Sequence, residues 1–140
     1  MSRAHERYVM LPTIIQGGMG VAISDWHLAR AASKAGALGV VSGTALDQVL
    51  VRRLQDGDPG GHMRQALDAF PVPAVAERVW QQYYIEGGKD EKQSYAKLPM
   101  HTREGTPELR ALCVVANFVE VWLARQEHDN PVGINFLEKI

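Results

Sequence analysis

The chain has 140 residues, 15 Lys+Arg against 16 Asp+Glu, a formal net charge of −1 and a single Cys. That length suits one domain with a modest core and falls short of the about 250 residues of a typical complete α/β barrel. Near-neutral charge argues against a nucleic-acid or anionic-membrane partner held by a broad basic field, and one Cys excludes an internal disulfide, so a reducing, cytoplasmic setting is expected.

The first segment, Met1 to Arg7, holds an acidic residue and no apolar run behind it, so it does not read as a secretory signal. Leu11-Pro12-Thr13-Ile14-Ile15-Gln16, stopped by Gly17-Gly18-Met19-Gly20, reads as a short buried strand. Ser24 or Asp25 offers an N-cap for a helix from Trp26 to Ala35. Its apolar positions Leu28, Ala31, Ala32 and Ala35 follow helical spacing, and Gly36 supplies the stop. Ala37-Leu38-Gly39-Val40-Val41-Ser42, ended by Gly43, is a second apolar strand. Strand, Gly-rich turn, helix and strand form a βαβ unit, which implies parallel strands with a right-handed crossover.

The chain then becomes mainly helical. Thr44-Ala45-Leu46-Asp47 resembles a capping sequence with a carboxylate in the first turn. Leu46, Val49, Leu50 and Leu54 mark an apolar face behind it and leave Arg52, Arg53 and Asp56 for solvent. Asp56-Gly57-Asp58-Pro59-Gly60-Gly61 is a break, followed by helical segments His62 to Phe70 and Pro73 to Tyr84. Glu86 to Gly105 is polar and Gly-containing and reads as a long exposed connection. Thr106-Pro107-Glu108 is a strong helix start, with the stripe Leu109, Leu112, Cys113, Ala116, Val119 and Leu123 beyond it. Its most apolar stretch, Leu112 to Leu123, is interrupted by Asn117 and Glu120 and is too short to span a membrane. Pro131 to Leu137 is a third strand candidate. No repeat and no domain boundary divides the chain. The central helices read as an insertion, at about 44–126, between the second and third strands.

Gly17-Gly18-Met19-Gly20, between a strand and a helix, sits where backbone N–H groups meet a phosphate or a flat cofactor. The dinucleotide fingerprint fails, because the third glycine position holds Ile23 and the second strand ends Val41-Ser42-Gly43 without the ribose-binding acid. No Gly-Lys-Ser/Thr follows, so a P-loop is excluded as well. His5, His27, His62, His101 and His128 are scattered, none at metal-ligand spacing with another His or the Cys, so no metal is expected. Each His is expected on the surface or in a loop. Cys113, on the apolar stripe, reads as a buried core thiol. Trp26, Trp80 and Trp122 are separated and read as helix-packing residues.

Pro12 to Gly20, followed by a helix and then Gly36-Ala37-Leu38-Gly39-Val40-Val41-Ser42-Gly43, resembles the start of the nitronate monooxygenases. These are flavin enzymes of the 2-nitropropane dioxygenase type, a family that includes FMN-dependent enoyl reductases. Pro131-Val132-Gly133-Ile134-Asn135-Phe136 is similar to the family's third barrel strand, whose Asn contacts the flavin. The resemblance is clearest over 11–47 and 131–140. Residues 57–64 and Val114 to Leu123 look like a subgroup with a long insertion.

The resemblance implies an α/β fold, an incomplete TIM-type barrel holding the first three parallel strands of eight. It also implies FMN as cofactor, bound by Gly18, Met19, Gly20 and Asn135. Glycines would let backbone approach the ring without Cβ clashes, Met19 would pack on a face, and the Asn135 amide offers donor and acceptor. Two plainer readings stand beside it: Asn135 as a strand residue bonded to neighbouring backbone, and the glycines as a tight turn. The family's catalytic His and its Gly-rich phosphate site have no counterpart here, so no catalytic residue is assigned. The chain is therefore expected to be the N-terminal part of a larger enzyme, inactive alone and prone to self-association through open sheet edges. In the parent protein an alkyl nitronate and O₂ would yield a carbonyl compound and nitrite. The rival readings are an FMN-dependent enoyl-thioester reductase drawing hydride from NAD(P)H, and a non-catalytic helical interaction module built on 44–126.

Overall fold

A computed structural model describes residues 12–136. The fold is α/β, a three-stranded parallel sheet with five helices. In chain order these are β1 (Ile15–Gln16), α1 (Trp26–Lys34), β2 (Leu38–Ser42), α2 (Leu46–Gln55), a 3₁₀ turn (Pro59–Gly61), α3 (His62–Asp68), α4 (Pro73–Tyr83), α5 (Pro107–Ala124) and β3 (Val132–Asn135). The expected elements are present in the expected order, but the first is not the buried strand expected: among the described residues it spans only Ile15–Gln16, and Ile14 and Ile15 are exposed because no further strand covers them. The residues Leu11 and Leu137 of the two outer strand candidates, and Met1 to Arg7, lie outside the described residues. No helix among the described residues is long and apolar enough to cross a membrane.

The sheet runs β1-β2-β3, with Ile15 opposite Leu38 and Ser42 opposite Asn135. β1 is only two residues long because side-chain and loop groups complete its work. Along one side of β2, the Leu38 N–H donates to Ile14 O at 2.9 Å and the Val40 N–H to Gln16 Oε1 at 3.2 Å. The Ser42 N–H donates to Ser24 O at 2.9 Å. The Gln16 amide thus substitutes for a further strand residue, and the returning loop substitutes for the next. Buried β2 keeps its donors satisfied although the glycines leave the ladder early.

Side chains alternate across the strands. Gly39 and Val41 face the helices, and a Cβ on Gly39 would fall 2.7 Å from the Ala29 carbonyl carbon, so glycine is what lets α1 lie against β2. α1 and α5 are the helices that pack on the sheet, while α2, α3 and α4 pack outward on α5 and one another. One apolar core joins Val41, Leu50, Leu54, Leu67, Val115, Val119 and Leu123. All three Trp pack there, Trp26 fully buried and Trp80 and Trp122 partly so.

Several local expectations need correction. Asp25 is the cap of α1, its carboxylate accepting from His27 N–H at 3.0 Å and Leu28 N–H at 3.3 Å. Thr44 caps nothing: α2 starts after Ala45 in a left-handed conformation with φ 52° and no side-chain cap. Arg53 is not left to solvent, since it pairs with buried Glu120. Glu120 also accepts from the Trp26 N–H at 3.0 Å, so the orphan donors at the start of α1 are shared between its own Asp25 and a carboxylate of α5.

α5 buries Val115, Glu120 and Ala124 beyond the expected stripe because α1, α2 and α3 all pack on it. The 86–105 connection has no regular element but is tied down. Lys89 N–H donates to Gln55 O at 2.7 Å, Ala96 N–H to Gln55 Oε1 at 3.0 Å, and Tyr95 Oη to Asp56 at 2.8 Å.

Candidate functional site

The C-terminal ends of parallel strands are where α/β proteins gather ligand-binding groups. Here they carry Gly17 to Gly20 after β1, Ser42-Gly43 at β2, and Asn135 at the end of β3. β2 lies between β1 and β3, yet Gly18 meets the Asn135 side chain, so the glycine segment reaches across the end of β2. A Cβ on Gly18 would fall 2.5 Å from Asn135 Cγ and 2.9 Å from Nδ2, and closer still to Oδ1. Only glycine permits that approach. Gly43 extends the ladder by donating to Asn135 O at 2.8 Å, which holds the end of β3 in place.

Asn135 Oδ1 is buried and accepts no hydrogen bond from the described residues. Buried side-chain acceptors are nearly always satisfied, so an orphan at a strand end marks a place where a donor is missing. Of the two plainer readings, the bonded-strand reading of Asn135 does not account for this orphaned oxygen. The tight turn is partly present: Ile23 N–H donates to Gly20 O at 3.0 Å, and Ala22 is left-handed at φ 56°. Met19, Val21 and Ile23 leave this turn with their side chains substantially exposed, beside exposed Ile14 and Ile15. The geometry brings together Gly18 and Asn135, with Met19 flanking in sequence; Gly20 serves the turn.

A flat heteroaromatic ring with an N–H beside a carbonyl fits this arrangement. The Asn135 amide fills the Cβ-free face of Gly18, so such a ring would give Oδ1 its donor once that amide turns outward from the glycine. Among the described residues, the strand-end groups are glycines, Met19, Ser42 and Asn135, which suit binding and orientation.

A second grouping lies away from the strands. Asp47 in the first turn of α2, His101 in the 86–105 connection and Cys113 on α5 converge, their ligand atoms all within 4.8 Å of one another. His101 Nε2 is 2.8 Å from Asp47 Oδ2 and 3.9 Å from Cys113 Sγ. Cys113 is therefore not a core thiol: it is half-buried at the edge of the stripe. Burial first, and the Asp47 charge second, hold its thiol above the ordinary range. The same two influences raise the Tyr83 phenol. Sequence spacing missed this grouping because Asp47 and His101 are 54 residues apart and His101 and Cys113 12, on three separate segments. The one available signal was a carboxylate beside the apolar face of α2, which reads equally as a helix-start charge.

A groove of about 540 Å³ runs between α4, α5 and Ala96–Pro99, lined by Val79, Tyr83, Leu98, Leu109 and Leu112 among others and by no strand residue. It is mainly apolar and distinct from the strand-end site.

Comparison with protein-family models, characterised proteins and solved structures finds no match.

Proposed function

We propose that the chain is the N-terminal part of an FMN-dependent nitronate monooxygenase barrel, with the strand ends forming one side of the flavin site. The observation that carries this reading is the contact of Gly18 with Asn135 and the buried, unpartnered Oδ1 of that asparagine. The sequential β1-β2-β3 order and the open outer edges of β1 and β3 among the described residues support a barrel that further strands would close.

FMN, when bound, supplies the redox chemistry, taking electrons from an alkyl nitronate and passing them to O₂. The residues of this chain hold and shield it. Asn135 Oδ1 would accept a hydrogen bond from a ring N–H. Gly18 leaves room for the Asn135 amide, and Gly20 sets the turn that would carry the glycine segment over the ring. Exposed Met19 would cover part of a ring face and exclude water there. Gln16, bonded to Ser24 Oγ at 2.7 Å and to both polar backbone groups of Val40, fixes the base of the glycine segment so that these positions are set before a ligand arrives.

The test is a fluorescence titration of FMN with the purified chain and with Asn135→Ala. Weak saturable quenching that Asn135→Ala abolishes is expected, with no nitronate-dependent oxygen uptake. Absence of saturable binding overturns the flavin assignment. Tight stoichiometric FMN with turnover overturns the partial-barrel assignment instead.

A further inference from the structure

We infer that Asp47, His101 and Cys113 form a zinc-binding site that pins the 86–105 connection to α2 and α5. The three side chains offer a carboxylate oxygen, an imidazole nitrogen and a thiol sulfur from three separate segments. That mixture of borderline donors is the set zinc prefers over calcium or magnesium, which take oxygen.

The spacing fits. Donors around a tetrahedral zinc, with bonds of about 2.0–2.3 Å, lie roughly 3.3–3.8 Å apart. His101 Nε2 to Cys113 Sγ is 3.9 Å, His101 Nε2 to Asp47 Oδ2 is 2.8 Å, and all three ligand atoms lie within 4.8 Å of one another, so the hydrogen-bonded pair must open by about half an ångström and the widest edge close by at most about one as a metal ion takes the place of the bridging proton.

A Cys–His–Asp relay is the obvious rival, and the geometry excludes it. A relay uses one imidazole nitrogen for the thiol and the other for the carboxylate. Here both groups face the same nitrogen, Nε2. Convergence on one point is what a metal needs.

The charges also suit a half-buried place. Asp47 has a side-chain exposure of 4 % and its hydrogen bond is to His101, whose side chain is 57 % exposed. Coordination by one carboxylate and one thiolate neutralises the dication, so a carboxylate otherwise buried beside a single imidazole gains a full counter-charge. On binding, the Cys113 thiol releases its proton to solvent. The imidazole binds as the neutral tautomer protonated at Nδ1, so any proton held at Nε2 moves off that nitrogen. Zinc undergoes no redox change. The fourth position is left to water on the open side of His101, as in sites with three protein ligands.

The experiment uses the full reduced chain, Zn²⁺ alone in competition with a chromophoric chelator, and Co²⁺ alone as a spectroscopic probe. One equivalent of Zn²⁺ is expected. Co²⁺ should give a thiolate-to-cobalt charge-transfer band that Cys113→Ser removes. His101→Ala should weaken Zn²⁺ by at least about tenfold, or about 1.4 kcal/mol, and exposed His27→Ala should leave it unchanged. Cys113 and His101 are partly exposed, so both variants keep the fold, checked by circular dichroism. As a second readout, Zn²⁺ should slow tryptic cleavage at Lys97 and Arg103, and the slowing should be lost in Cys113→Ser. No stoichiometric binding, a cobalt complex without the charge-transfer band, or affinity unchanged in both Cys113→Ser and His101→Ala would each overturn the site.

Discussion

Placing a methyl group at Gly18 is the sharpest perturbation of the strand-end site. The new Cβ would fall 2.5 Å from Asn135 Cγ and 2.9 Å from Nδ2, where carbon contacts ordinarily sit about 3.5–4.0 Å apart. Either the asparagine leaves its rotamer or the glycine segment lifts off the end of β2. Overpacking of this kind costs about 1–3 kcal/mol. Asn135→Ala should behave in the opposite way. It deletes a buried acceptor that makes no hydrogen bond among the described residues, so its cost should stay within about 1 kcal/mol even though the residue is buried in part. The double variant removes both clashing partners and should recover most of the Gly18→Ala loss, a favourable coupling of about 1–2 kcal/mol. Urea unfolding of the four proteins, with equal slopes, measures the cycle. FMN titration of the same four should show binding lost in all three variants, separating fit from stability. If Gly18→Ala unfolds at the same urea concentration as the parent, or the double variant is no more stable than Gly18→Ala, the close approach of these residues is wrong.

Two other outcomes follow from the packing. Glu120 accepts from the Trp26 N–H and pairs with Arg53, so Glu120→Ala should lose about 3 kcal/mol, while Glu120→Gln, which keeps an acceptor, should lose less. Burial is the largest influence on this carboxyl and lifts it above the ordinary value of 4.5, against the pull of Arg53 and of the Trp26 N–H. A raised carboxyl favours the protonated folded state. Its contribution is therefore complete below the ordinary value and declines as pH rises through the raised one. The parent should lose stability relative to Glu120→Gln over that rise, and parallel pH profiles would contradict this. On the open side of β1, Ile14 is 68 % and Ile15 61 % exposed, so the apparent mass of the parent in sedimentation should rise with concentration. Ile15→Lys should flatten that rise; a parent that stays monomeric at all concentrations would count against open-edge association.

Much of the fold could be read along the chain because its signals are short-range. Glycine stops, Pro107 after a Thr cap, and apolar runs or stripes each act within a few residues, and they placed the helices, β2 and β3 to within a residue or two, whereas, among the described residues, the Leu11 to Gln16 run forms a strand only at Ile15–Gln16. The parallel sheet followed from the βαβ order. The identity of the α1 cap was open between two neighbours, and only the backbone direction into Trp26 chose Asp25. Thr44 looked like a cap and is not one, since the chain turns through a left-handed Ala45 before α2 begins.

What the sequence by itself determined is the order of elements, most of their boundaries and the glycine and asparagine positions at strand ends. Tertiary structure alone decided which of those positions touch, because nothing local in Gly18 or Asn135 reports that the glycine segment crosses β2. It likewise decided that Glu120 serves the start of α1 from 94 residues away, and that Asp47, His101 and Cys113 share one point. The physical reason is the same in each case. Periodicity and capping are set by neighbours along the backbone, whereas a buried charge or an unpaired acceptor acquires its meaning from groups brought beside it by the folding of other elements.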